Sequence, residues 1–129
     1  EIGFPRGAIA MSVMHDSHNI SVVGASDSDM AKAVNRVAEM QGGIAIVENN
    51  SIIGELALPI GGLMSNCSGV EVAQNINKLK EIVHSLVPSS NLGHDPLFSL
   101  MTMFLTCHPY TFNLTDQGIF DLKTSRKLN

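Results

Sequence analysis

The feature that most constrains the fold is a pair of apolar runs separated by a short polar turn. Residues 44–47 read Ile-Ala-Ile-Val, residues 52–58 form a second, mainly apolar run, and Glu48-Asn49-Asn50-Ser51 lies between them. A continuous apolar run of this length is typical of a strand buried on both faces. Asparagine tolerates the positive φ angles of tight turns. The sequence therefore predicts a β-hairpin over residues 44–58.

Helical patterns precede and follow this hairpin. An apolar stripe at helical spacing predicts a helix from a serine cap at Ser26 or Ser28 to about residue 41, where Gly42-Gly43 ends it. A capping-box pattern at 68–71 opens a second helix, which should run to about residue 87. A third helix, over about 96–105, is apolar nearly all round and should be buried or lie in an interface.

Short apolar or alternating runs predict four further strands, at about residues 8–13, 19–24, 110–115 and 119–122, with a frayed tail over 123–129. We therefore expect an α+β fold: a mixed, largely antiparallel sheet of about five or six strands, with about three helices packed on it. A doubly wound parallel α/β sheet is the alternative, because residues 20–47 could form a βαβ unit.

Charged residues are scarce, and this bounds the partners. They make up 16% of the chain, with a net charge of -4, whereas about 25% is average. Eight scattered Lys and Arg residues argue against nucleic-acid binding. A surface so poor in charge indicates that part of it is covered, by another domain or by a second copy in a homo-oligomer.

The length of 129 residues suits a single domain with a sizeable core. The chain starts at Glu1 without an initiator Met, so we expect an N-terminally truncated piece of a longer protein. No apolar run of about 18 residues is present, which predicts no membrane span. Two cysteines, Cys67 and Cys107, are expected to be reduced in a cytoplasmic protein.

The densest side-chain chemistry lies in residues 14–19, between the first two predicted strands. It comprises His15, Asp16, His18 and Asn19. The two histidines could share a metal ion with Asp16 as a third ligand. The cluster could instead stabilise a turn, or face a ligand or an active site on a neighbouring domain. The motifs of self-contained zinc deaminases, Walker loops and dinucleotide sites are absent.

A second unusual stretch is the glycine-rich apolar loop at 60–65. It reads Ile-Gly-Gly-Leu-Met-Ser and follows Pro59, which ends the preceding strand. Such a loop can let a ligand or another backbone approach closely. The simpler interpretation is a bend that packs against the following helix.

Together these motifs resemble a known family. The runs His15-Asp16-Ser17-His18-Asn19 and Leu58-Pro59-Ile60-x-Gly62-Leu63-Met64-Ser65 are similar to the C-terminal domain of bacterial adenine deaminases, in the amidohydrolase superfamily. The resemblance covers about residues 7–122.

The resemblance implies a longer enzyme that hydrolyses adenine to hypoxanthine and ammonia in purine salvage. An N-terminal barrel of the same chain would bind manganese or iron and activate the attacking water. This fragment, which lacks the barrel's metal-ligand motifs, is expected to hold no metal and to be inactive alone. His15, Asp16, His18 and Asn19 would then point towards the barrel's mouth. A non-catalytic oligomerisation module and a small-ligand-binding domain are the alternatives.

Overall fold

The structure, a computed structural model, describes residues 4–14, 19–87, 95–103, 112–115, 117–121 and 123–128. Its elements, in chain order, are β1 (Ala8–Met11), β2 (Ser21–Gly24), α1 (Asp27–Glu39), β3 (Gly43–Glu48), β4 (Ser51–Ala57), α2 (Gly69–Leu86), α3 (Pro96–Met103), β5 (Phe112–Thr115), β6 (Gly118–Asp121) and β7 (Arg126–Leu128).

The strands form two antiparallel sheets, which confirms the α+β class. The larger has the order β2-β1-β3-β4 and the smaller β5-β6-β7. The described strands thus divide into sheets of four and three, instead of joining one sheet of five or six. The α/β alternative is wrong. β2 and β3 do run in the same direction, but β1 lies between them and pairs antiparallel with both.

The predicted hairpin and helix starts are confirmed. Asn49 and Asn50 have φ angles of 50° and 59° in the turn between β3 and β4. The Asp29 N–H donates to the Ser26 hydroxyl at the start of α1, 3.2 Å away. Ser68 and Glu71 form the reciprocal capping box at the start of α2. These caps satisfy N–H groups that have no partner inside the helix.

The expected frayed tail is instead the last strand. Residues 126–128, Arg-Lys-Leu, pair with β6 after a turn in which Ser125 has a φ of 51°. All three side chains are exposed, so the strand has no buried face and no apolar alternation. Periodicity in the sequence could not reveal it, because that signal arises only where one face is buried.

The larger sheet lies between two helical layers. Side chains alternate along each strand, so each face of the sheet presents its own set of residues to one layer. One face presents small residues to α1, and these pack in a cluster of Ala10, Ala33, Val37, Ala45 and Val47. The other face presents larger residues to α2 and α3, in a cluster that includes Ile9, Met11, Ile44, Ile46, Leu79, Val83 and Leu100. Small side chains let α1 approach the sheet closely, and the bulkier face builds the main core.

The register gathers three connections at one end of this sheet. Met11, at the end of β1, pairs with Ser21 and with Ile44, and Gly43 pairs with Ala57 at the end of β4. We call this the upper end, and its described loops are 12–14, 19–20, 40–43 and 58–68. The opposite, lower end contains residues 4–7, 25–28 and 48–51.

Candidate functional site

The predicted polar cluster belongs to the connection between β1 and β2. His15, Asp16 and His18 lie outside the described residues. Asn19 is described and is exposed at the upper end. β1 and β2 pair antiparallel with each other, so the cluster lies on the connection of a hairpin. The cluster's predicted role stays a prediction.

The first part of this connection is anchored in the main core. Met14 is only 3% exposed and packs in the same cluster as Leu97 and Leu100 of α3. Its N–H donates to the Ser12 carbonyl, 2.8 Å away. The backbone that enters the polar cluster is therefore held by packing and by a local hydrogen bond.

Ser12 joins three parts of the upper end, and the sequence reasoning missed it. The Gly43 N–H donates to the Ser12 hydroxyl at 2.8 Å, and that hydroxyl donates to the Gly62 carbonyl at 2.6 Å. The Ser12 N–H also donates to the Gly43 carbonyl, 2.9 Å away. A single hydroxyl thus ties the connection to the start of β3 and to the glycine-rich loop. A lone polar residue inside an apolar run is the signal that could have revealed it.

The glycine-rich loop approaches the turn before β3 very closely. A Cβ atom on Gly42 would lie 2.3 Å from the Cα of Gly62, and the two residues have φ angles of +117° and +74°. Gly42 therefore needs glycine for space and for conformation, and Gly62 needs it for its positive φ angle. The loop closes on itself through mutual backbone hydrogen bonds of 3.1 Å between Ile60 and Met64. The predicted bend is present, and the close approach is between two backbones.

An apolar groove of about 340 Å³ opens beside this loop, between the sheet, α2 and α3. Its walls include Val13, Leu56, Leu63, Ile76, Phe98 and Met101.

One ion pair borders the groove: the Lys80 ammonium donates to Asp95 Oδ2 at 2.5 Å. Burial raises the pKa of Asp95, but hydrogen bonds from Lys80 and from the Phe98 N–H outweigh it and lower the pKa overall. Asp95 also caps α3, because its Oδ1 accepts from the Phe98 N–H at 3.0 Å. Lys80 and Asp95, the charged residues that line the groove, are thus paired with each other. The groove is therefore suited to apolar contact.

Metal-binding chemistry does not assemble within the part of the chain that the structure describes. Among those residues, no three His, Cys, Asp or Glu side chains converge in a way that could hold an ion. Cys67 is a free, exposed thiol, and Cys107 lies outside the described residues. His84 is partly exposed on α2 and has a buried Nδ1 without a hydrogen-bond partner. Of the helices described, none is long and apolar enough to cross a membrane.

Comparison with known proteins identifies the same family as the sequence motifs. Residues 1–126 match the family "adenine deaminase C-terminal domain". Similar relatives are the adenine deaminase of Listeria welshimeri, 46% identical over 95% of this chain, and adenine deaminase 1 of Carboxydothermus hydrogenoformans, 43% identical over 95%. The adenine deaminase of Clostridium acetobutylicum is 43% identical over 93%. The chain spans only 20–21% of the length of these relatives. It belongs to the family of adenine deaminase C-terminal domains.

Proposed function

We propose that the longer protein containing this domain hydrolyses adenine to hypoxanthine and ammonia, in the cytoplasm, as a step of purine salvage. The relatives bear the name adenine deaminase, and this domain accounts for about one fifth of their length. The remaining four fifths would carry the catalytic barrel, so we expect this fragment alone to be inactive.

We further propose that manganese or iron is held by that barrel. Support comes from the resemblance to adenine deaminases, whose length lies mostly outside the part that this chain matches. The metal would supply an activated water for attack on the purine C6, with ammonia as the leaving group. This domain would supply groups that bind or orient the purine.

The connection between β1 and β2 is the part of this domain that we assign to the purine pocket. The observation that carries this assignment is its anchoring: Met14 is buried, Ser12 bonds two other loops, and Met11 pairs with Ser21 across the hairpin. Polar groups on a supported backbone can hold a ligand in a defined geometry.

Each proposed residue has a chemistry suited to adenine. The amide of Asn19 and the imidazoles of His15 and His18 can hydrogen-bond purine nitrogens. A histidine can also relay a proton near neutral pH, for example towards departing ammonia. Asp16 would orient one of these imidazoles through its ring N–H.

Single His15→Ala and His18→Ala substitutions in the full-length enzyme test this role. Loss of a proton-transferring group typically lowers the rate by about 10²–10⁴-fold, and we expect kcat/KM for adenine to fall towards that range for at least one variant. Asn35→Ala, at an exposed position of α1, is the control and should leave kcat/KM unchanged. If both histidine variants keep wild-type kcat/KM, the connection is not part of the purine pocket.

A second candidate function is subunit assembly through α3. Leu100 of this helix is fully buried and belongs to the core. Phe98 is 59% exposed and is an apolar side chain of α3 that a second subunit could cover. Sedimentation of full-length Phe98→Ser tests this role. A smaller assembly with unchanged activity per subunit would support it, and an unchanged mass would refute it.

A further inference from the structure

The upper end of the larger sheet is apolar to an unusual degree. Its described loops, residues 12–14, 19–20, 40–43 and 58–68, contain no Asp, Glu, Lys or Arg. Large apolar side chains are nevertheless exposed there and at the adjoining first turn of α2: Ile20 (39%), Ile60 (47%), Leu63 (38%), Met64 (59%) and Val70 (70%). Exposed apolar side chains grouped in this way mark interaction surfaces.

The lower end of the same sheet is charged. Arg6 and Glu48 form an ion pair there at 2.9 Å, and Lys32 donates to the Asn50 carbonyl at 2.6 Å. Asp27 adds an exposed carboxylate at the start of α1. The loops of the lower end thus carry Arg6, Asp27 and Glu48, whereas the described loops of the upper end carry no Asp, Glu, Lys or Arg. The charged residues nearest the upper end, Glu39 and Glu71, lie in the adjoining turns of α1 and α2.

The apolar surface is also held in a fixed shape. The Ser12 hydroxyl, the close approach of Gly42 and Gly62, and the hydrogen bonds between Ile60 and Met64 tie its loops together. A preorganised surface loses little conformational entropy when it binds.

We propose that the upper end is the docking face for the preceding domain of the longer chain. The family of this domain and the length of its relatives indicate which partner covers the face. The matched family is a C-terminal domain, and about four fifths of each relative lies outside the match. The face includes residues 12–14 and 19–20, the described flanks of the connection between β1 and β2, to which the purine pocket is assigned above. This inference rests on the proposed function for the identity of the occupant.

Thiol labelling of the full-length enzyme tests the proposal, because Cys67 lies within the upper end as an exposed free thiol in this domain. The thiol introduced by Ser51→Cys, at an exposed position of the lower end, is the internal standard. Labelling at each position is followed by mass spectrometry. We expect Cys67 to react at least about tenfold more slowly than the standard, since docking would cover it and reaction would await local opening. Equal rates would overturn the proposal.

A charged substitution within the face gives a second measurement. Met64→Asp should accelerate labelling of Cys67 by about tenfold, because a carboxylate is costly to bury in an apolar contact. Ile52→Asp, at a 40% exposed isoleucine near the lower end, is the matched control and should leave the rate unchanged. Acceleration by both variants to the same degree would indicate general unfolding and would refute a specific docking face.

Two further outcomes separate docking of the preceding domain from contact with a second copy, and the docking face from the proposed purine pocket. If Met64→Asp also lowers the mass of the assembly in sedimentation, the face is covered by a second copy, and docking of the preceding domain is refuted. If Cys67 is protected while both histidine variants keep wild-type kcat/KM, the docking face stands and the proposed role in the purine pocket fails.

Discussion

Ser12→Ala is the most informative single substitution for the architecture of the upper end. It removes one oxygen atom and leaves the backbone of β1 unchanged. In the native domain that oxygen accepts from the Gly43 N–H at 2.8 Å and donates to the Gly62 carbonyl at 2.6 Å. The substitution therefore breaks two hydrogen bonds that join three separate loops.

The expected loss of stability depends on how deeply the Gly43 N–H and the Gly62 carbonyl are buried, because both lose their hydrogen-bond partner. Gly43 is buried, and a buried N–H without a partner costs about 1–3 kcal/mol. Gly62 is half-buried, so water can partly replace the hydrogen bond that its carbonyl loses. Losing that bond should cost about 0.5 kcal/mol. We expect the free energy of unfolding to fall by about 2 kcal/mol in total.

Urea denaturation followed by circular dichroism measures this change. With a slope of about 2 kcal/mol per molar urea, the midpoint should fall by about 1 M. Ser28→Ala is the control: Ser28 is exposed, its hydroxyl lies 3.3 Å from that of Ser26, and its loss should change stability by less than about 0.5 kcal/mol. A Ser12→Ala midpoint no lower than that of Ser28→Ala would refute the assigned role of the hydroxyl.

Three other predictions concern the helices and the core. Ser26→Ala removes the cap of α1 and should cost about 1 kcal/mol by urea denaturation, and no loss would show that the cap is dispensable. Leu79→Ala, at a position 2% exposed, should cost about 2–5 kcal/mol, whereas exposed Val70→Ala should cost far less. Hydrogen bonds from Arg36 lower the pKa of Glu55, so its contribution to stability is complete above about pH 4.5 and is lost as the pH falls through the lower folded pKa. Glu55→Gln should therefore lose stability at pH 7 and flatten the pH dependence below 4.5, and an unchanged acid profile would contradict this.

The local elements were predictable because their signals lie within a few residues. The pair Asn49-Asn50 predicts the turn before β4. The spacing of Ser68 and Glu71 predicts the start of α2. Each of these features depends on backbone groups and side chains that are neighbours in sequence. The continuous apolar run at residues 44–47 likewise indicated a strand buried on both faces, as β3 is.

The candidate site was predictable only as a group of residues. The density of chemistry at His15, Asp16, His18 and Asn19 is visible in the sequence, and so is the family motif around it. The support beneath the connection was not visible, because Ser12 bonds residues 31 and 50 positions away. No local pattern encodes such a contact.

The sequence by itself determined the class of the fold, most of its elements and its family, since periodicity, caps and motifs are local. Only the tertiary structure decided that the described strands divide into two sheets, that β1 lies between β2 and β3, and that loops without Asp, Glu, Lys or Arg lie together at one end of the larger sheet. Strand order and loop proximity depend on which distant residues pair, and many pairings satisfy the same local preferences. The physical reason is that packing and long-range hydrogen bonds select among them, and those energies exist only once the chain has folded.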